Sequence, residues 1–168
     1  MKKIIFVVCC SSLFISVFAQ KKIVFVLPIM EEIGPASARH VKAGFSEAEK
    51  AKADYIILHL NTYGGTVDDA DKMRTAIIKS KVPVHAFIDN NAASAGALIS
   101  ISCDSIYMAP GASIGAATVV GQDGAPAPEK YQSYMRSMLR ATAEQSGRDP
   151  KIAEAMNDSR IYIPGVND

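Results

Sequence analysis

Two turns of small residues carry the groups from which acyl-transfer chemistry is built. Asn61-Thr-Tyr-Gly-Gly65 ends on a diglycine, which leaves backbone N–H groups open to a ligand. Asn90-Asn-Ala-Ala-Ser-Ala-Gly96 sets Ser94 among alanines and a glycine, so a bulky substrate can reach its hydroxyl. A serine nucleophile needs a base. Lys130 stands just inside a helix start marked by Pro128, where the positive end of the helix dipole disfavours an ammonium. Burial under Ile114, Ala116, Ala117 and Tyr131 would disfavour the charge further. Together these residues could supply an oxyanion hole, a nucleophile and an unusual base.

Each also has a plainer reading. Ser94 suits a helix N-cap, whose hydroxyl accepts from the first-turn amides. Gly64-Gly65 can be simply a turn, and Lys130 a solvated surface charge. Asp68, Asp69 and Asp71 could suggest a metal, yet they fit the dipole-favoured first turn of a helix better. His40, His59 and His85 all precede Ser94. A Ser–His–Asp triad is conceivable, because triad order varies between folds. His59 and His85, however, sit inside apolar strands and read as core residues.

The elements around these turns alternate between strand and helix. Lys22–Leu27 reads as a strand stopped by Pro28, and 35–53 as a helix with Val41, Phe45 and Ala48 on one stripe. Tyr55–Leu60 is almost continuously apolar, the pattern of a strand covered on both faces. A helix capped by Thr66 should run to about Ser80, with Ala70, Met73, Ile77 and Ile78 inward. Val84–Ile88 reads as a strand, Ser94 to about Cys103 as a buried helix, and Ser105–Met108 as another strand. After a Gly- and Ala-rich loop, Tyr131, Tyr134, Met135, Met138, Leu139 and Thr142 mark the inner face of a helix ended by Gly147. Asp149-Pro150 starts a last helix through about Met156.

Composition narrows the class. The chain has 168 residues, 49% hydrophobic and 21% charged, which is enough for one real core. Met1-Lys-Lys3 and the apolar run Ile4–Phe18 read as a secretory signal, with Val17-Phe18-Ala19 as the cleavage site. The domain then occupies residues 20–168. Cleavage removes two lysines and shifts the formal charge from +1 to −1. That near-neutral balance, with no basic stripe, argues against nucleic acid. Cys103 remains the sole mature cysteine and reads as a buried apolar residue, so no disulfide framework or CxxC metal site is expected. There is no phosphate loop or dinucleotide fingerprint, and no cofactor is expected.

Four segments taken together resemble the NfeD family of membrane-bound, ClpP-like serine proteases, related to signal peptide peptidase A. They are Asn61-Thr-Tyr-Gly-Gly65-Thr-Val-Asp68, Val82-Pro-Val84, Ala92-Ala-Ser-Ala-Gly96 and Met108-Ala-Pro-Gly111-Ala-Ser-Ile-Gly-Ala-Ala117. The likeness continues through Lys130 and Gln145-Ser-Gly-Arg148. It implies an α/β fold, the ClpP/crotonase superhelix of repeated β-β-α units. By the same resemblance Ser94 is the nucleophile and Lys130 its general base, with the N–H groups of Gly64 and Ala95 forming the oxyanion hole. Gly65, Thr66 and Val67 would pair with an extended substrate strand.

The resemblance also implies an apolar peptide or protein substrate, a stomatin-like membrane protein as partner, possible homodimers, and a location exported across the cytoplasmic membrane and membrane-associated in the full-length form. Tyr63 departs from the family's usual proline before the diglycine. The chain stops at Ile163-Pro-Gly-Val-Asn-Asp168, short of the family's usual end, so the C-terminal part of the protease domain is expected to be missing. Two other classes stay open. One is a non-catalytic module that binds stomatin-like proteins, and the other a crotonase-type acyl-CoA enzyme on the same fold.

Overall fold

The computed structural model describes residues 21–165. The sequence-based signal segment, residues 1–19, lies outside them. In chain order the elements are β1 (Val24–Ile29), α1 (Pro35–Lys50), β2 (Tyr55–Thr62), α2 (Val67–Ile78), β3 (Val84–Ala93), α3 (Ala95–Ile101), β4 (Ser105–Met108), β5 (Ser113–Gly115), α4 (Glu129–Gln145) and α5 (Pro150–Ala155). The strands β1 to β4 lie side by side in that order and all run parallel, while β5 pairs with the far half of β3.

A strand order that never reverses, joined by right-handed crossovers, carries every helix to the same side of the sheet. The burial pattern follows. In β2, Ile56, Leu58, Leu60 and Thr62 are buried beneath the helices, whereas Tyr55, Ile57, His59 and Asn61 on the other side are not. This corrects the expectation of a sheet covered on both faces. Among the described residues one face stays open, and it is apolar, with Val24, Val26, Ile57, Phe87 and Tyr107 around His59 and His85. The two histidines are half-buried there, the ring of His59 5.3 Å from Phe87 and that of His85 5.4 Å from Tyr55. They belong to that face and not to the core, and neither is bonded to Ser94.

The β-β-α unit takes the form of a bent strand. Residues 56–60 of β2 pair in step with 84–88 of β3, then the register slips so that Thr62 meets Ala92. Beyond that bulge, 91–93 of β3 pair with 113–115 of β5. The chain thus makes a long limb and a short one, and in the last unit the two limbs separate into β4 and β5. Pro28 does not stop β1, because an edge strand tolerates a missing donor.

The core under the helices is continuous. Leu58, Leu60, Ile88, Leu98, Ile99 and Leu139 have almost no exposure, and every residue of α3 is buried, as its all-round apolarity requires. Cys103 lies in this core with its thiol donating to the Ile99 carbonyl at 3.4 Å, and burial pushes that thiol well above the usual range. The native chain is therefore expected to leave Cys103 unlabelled by a thiol reagent, while the denatured chain labels it fully. Peptide mass mapping reads the result. Rapid native labelling would mean that α3 opens on its own.

Candidate active site

Ser94 ends β3 and begins α3, at φ 54° and ψ −115°. That conformation is costly for any residue but glycine, about 1–3 kcal/mol. It is maintained by the parallel pairing of 91–93 with β5 and by the Ser94 N–H, which donates to the Gly115 carbonyl at 2.8 Å. The same twist turns the side chain away from the helix it precedes. Ser94 occupies the N-cap position of α3 but makes no side-chain cap bond, and among the described residues its hydroxyl has no hydrogen-bond partner. The capping reading is thereby set aside. Ser94→Gly should remove the strain, raising stability by about 1 kcal/mol in chemical denaturation. A fall in stability would show that no strain is held there.

The diglycine turn comes up against this serine. A Cβ placed on Gly64 would lie 2.6 Å from the Ser94 Cβ and 3.2 Å from the Ala95 nitrogen, so only a glycine permits the approach. The turn is fixed from within by Thr62, which is buried and whose hydroxyl oxygen accepts the Gly64 N–H at 3.1 Å. The amide expected in the oxyanion hole is therefore already engaged. Gly65 differs. Ile33 donates its N–H to the Gly64 carbonyl at 2.8 Å and accepts the Thr66 N–H at 2.9 Å. By the alternation of a parallel ladder, the N–H and C=O of Gly65 then face away from Ile33, and they have no partner among the described residues. Ala95 offers a second open amide, since it is the first residue of α3 and the opening N–H groups of a helix have no partner within it.

Thr66 is the N-cap of α2, and its backbone serves Ile33 and Ala70. Its hydroxyl donates to the Asp69 carboxylate at 2.8 Å instead of capping the helix. Asp69 is buried and also paired with Lys72 at 2.8 Å, and these two bonds, the lysine's first, hold its carboxyl below the usual carboxylate range. Asp71 pairs with Arg74. The aspartates thus brace the helix start, and among the described residues no group of three or more His, Cys, Asp or Glu could hold a metal. Val67 begins α2.

Lys130 does stand in the first turn of α4, as the sequence predicts, but it is exposed. Its ammonium lies 4.8 Å from the centroid of the Tyr131 ring, and no hydrogen bond joins it to Ser94. Ala117 is buried elsewhere and Ala116 is itself exposed, so the loop does not bury the lysine. What does gather around Lys130 is a groove walled by Thr66, Val67, Val119 and Tyr134. The helix is rotated from the expected phase. Tyr131 and Tyr134 face outward at 49% and 57% exposure, and Gln132 and Ala143 turn inward beside Met135, Met138, Leu139 and Thr142. Sequence reasoning passed over Thr62, Gln132 and Asn157. All three are buried polar residues in hydrogen bonds to backbone, a role visible only once the loops are placed.

Residues 23–168 match the family described as NfeD1b, N-terminal domain. The chain belongs to that family. It is 40% identical over 143 residues to "Membrane protein NfeD1b" of Bacillus subtilis (strain 168), covering 85% of this chain and 33% of the relative. Against "Membrane-bound protease PH1510" of Pyrococcus horikoshii it is 34% identical over 142 residues, 80% of this chain and 32% of that protein. The chain spans about a third of the length of these curated relatives.

The fold of this NfeD1b domain is similar to that of the 1510-N membrane-bound stomatin-specific protease, solved as a lysine-to-alanine mutant in complex with a substrate peptide. The two share 32% identity at a TM-score of 0.78, over 83% of this chain and 68% of the other. A serine-to-alanine mutant of the same protease gives a TM-score of 0.79. Likeness to ClpP1 from Listeria monocytogenes, at 20% identity and a TM-score of 0.62, shows a common ClpP-like fold.

Proposed function

We propose that this NfeD1b domain is a serine endopeptidase working through a Ser94–Lys130 dyad. The observation that carries the reading is Ser94 itself. A non-glycine residue is held at positive φ, its hydroxyl without a hydrogen-bond partner among the described residues, with the diglycine turn against it and the open Ala95 amide next in the chain. In the reaction, neutral Lys130 takes the Ser94 proton as Oγ attacks a peptide carbonyl carbon. The resulting oxyanion is stabilised by the N–H groups of Ala95 and Gly65, the latter in place of Gly64, whose amide serves Thr62. Collapse expels the amine, which takes its proton back from Lys130, and water then hydrolyses the acyl ester. The N–H and C=O of Gly65 and the N–H of Val67 hold an extended peptide as an added strand. For catalysis the Lys130 ammonium must leave the Tyr131 ring and reach Ser94, as catalytic contacts that are long in a free enzyme tighten when substrate binds.

The substrate class follows the relative described as stomatin-specific. It is an apolar segment of a stomatin-like membrane protein, cut by a domain exported across the cytoplasmic membrane, membrane-associated in the full-length protein and paired as a homodimer. No helix among the described residues is long and apolar enough to cross a membrane. One observation favours a second reading, in which the groove binds such a partner without cutting it: Lys130 rests on Tyr131 and not on Ser94. Incubation with a panel of apolar peptides separates the two. Cleavage by the wild type that is lost in Ser94→Ala and in Lys130→Ala supports the protease. Binding of the same peptides, unchanged in both variants and with no product, supports the partner-binding module.

A further inference from the structure

The backbone of Ser94 and the helix bearing Lys130 are tied to one short stretch of chain, residues 115–119. At its near end Gly115 accepts the Ser94 N–H at 2.8 Å. At its far end Val119 is gripped through both backbone groups by one side chain: its N–H donates to Gln132 Oε1 at 3.0 Å, and its C=O accepts from Gln132 Nε2 at 2.7 Å. Between them Ala117 donates to the Met156 carbonyl at 2.7 Å and accepts from Asn157 Nδ2 at 2.8 Å. The Thr118 hydroxyl donates to the Asn157 carbonyl at 3.3 Å. Asn157 Nδ2 also donates to Gln132 Oε1 at 3.1 Å, which closes the network.

Gln132 follows Lys130 by two residues and so lies on the other side of the helix. At the start of α4 the Ala127 N–H also donates to the Val119 carbonyl at 2.9 Å, and Glu129 is paired with Arg136. The helix N-cap is Pro128, which makes no side-chain cap bond, and the preceding Ala127 carbonyl is held by Gln132 Nε2 at 3.1 Å. Within the stretch, Ala116 sits at φ 50°, a strained conformation for a non-glycine that persists only when its flanks are fixed. Gln132 and Asn157 are only 8% and 7% exposed, so their hydrogen bonds are shielded from water and demanding in geometry.

Resting on the dyad reading above, we propose that Gln132 and Asn157 are positioning residues. They make residues 115–119 a rigid strut that sets the spacing between Ser94 and Lys130. The test measures acylation of Ser94 by an aryl sulfonyl fluoride in Asn157→Ala and in the volume-conserving Gln132→Met, each with Lys130 present and with Lys130→Ala. A displaced base should slow acylation about 100-fold, the cost of a misplacement of roughly 1 Å. The effect should vanish in the Lys130→Ala background, because nothing is left to misplace. Equal slowing in both backgrounds, or none in either, overturns the proposal.

Amide hydrogen exchange gives a readout independent of chemistry. In both variants the Val119, Ala127 and Tyr131 amides should lose protection together while those of β2 keep theirs. Loss confined to α5 overturns the strut. If wild type and Lys130→Ala are acylated equally slowly, the dyad reading fails, and the exchange result alone decides whether residues 115–119 join the two halves.

Discussion

Acylation by a sulfonyl fluoride should disappear in Ser94→Ala and fall about 1,000-fold in Lys130→Ala, within the range a positioned general base contributes. Neither change should disturb the fold. Among the described residues the Ser94 hydroxyl has no hydrogen-bond partner, and the Lys130 ammonium rests against the Tyr131 ring. Thermal unfolding of both variants should therefore stay within about 0.5 kcal/mol of the wild type, since Lys130 is exposed and truncating the half-buried Ser94 leaves no group without a partner. Stability and chemistry are thereby separated. Were Lys130→Ala to react as fast as wild type, the proton would be going elsewhere, and no histidine is bonded to Ser94 to receive it. The groove would then be better understood as a surface for binding.

The second large effect is expected at Gly65, and there fold and chemistry should fail together. Its φ is +153°, and a Cβ built there would fall 2.0 Å from the Ile33 carbonyl oxygen and 2.7 Å from its carbonyl carbon. Both are backbone atoms, so no rotamer change can relieve the clash. The Ile33–Gly65 bridge must break, releasing the Ile33 N–H and the Thr66 N–H that it orders. Gly65→Ala should cost about 3 kcal/mol in urea denaturation, typical of overpacking against an unyielding neighbour. Peptide binding should be lost even where the variant remains folded. Gly111→Ala is the control, for it too has positive φ but has nothing within 4 Å of an added Cβ, so strain alone would cost about 1–2 kcal/mol there. A Gly65 variant no weaker than the Gly111 variant would remove the close approach from the argument.

The strands were legible where apolar runs are long. The expected starts of β2, β3 and β4 coincide with the observed ones, and Asp149 caps α5 with its carboxylate on the Lys151 N–H. The covering of the sheet was not legible. Tyr55–Leu60 is apolar on both sides of the strand, and which side receives helices depends on the direction of winding, a property of the whole topology. The phase of α4 failed for a related reason. Tyrosine counts as apolar in a periodicity, yet the inner position goes to Gln132 because a loop presents it with two carbonyls and an amide. Ser94 was ambiguous because a cap and a nucleophile call for the same residue at the same place. They differ in backbone twist, which neighbouring Gly115 and Gly64 impose from far along the chain. The choice of open amide likewise turned on Thr62 and Ile33, neither of which a diglycine announces.

A sheet that winds in one direction also has an order in time. Each strand lays itself against the one made just before it, so a chain delivered end-first, from a ribosome or through a pore, can build β1 to β4 without waiting for distant segments. The serine is not finished on that schedule. Its backbone partner Gly115 arrives later, the helix with Lys130 later still, and Asn157 among the last of the described residues. On the reading proposed above, reactivity at Ser94 is thus deferred until nearly all of residues 21–165 have emerged. On that reading a nascent chain would carry its own latency.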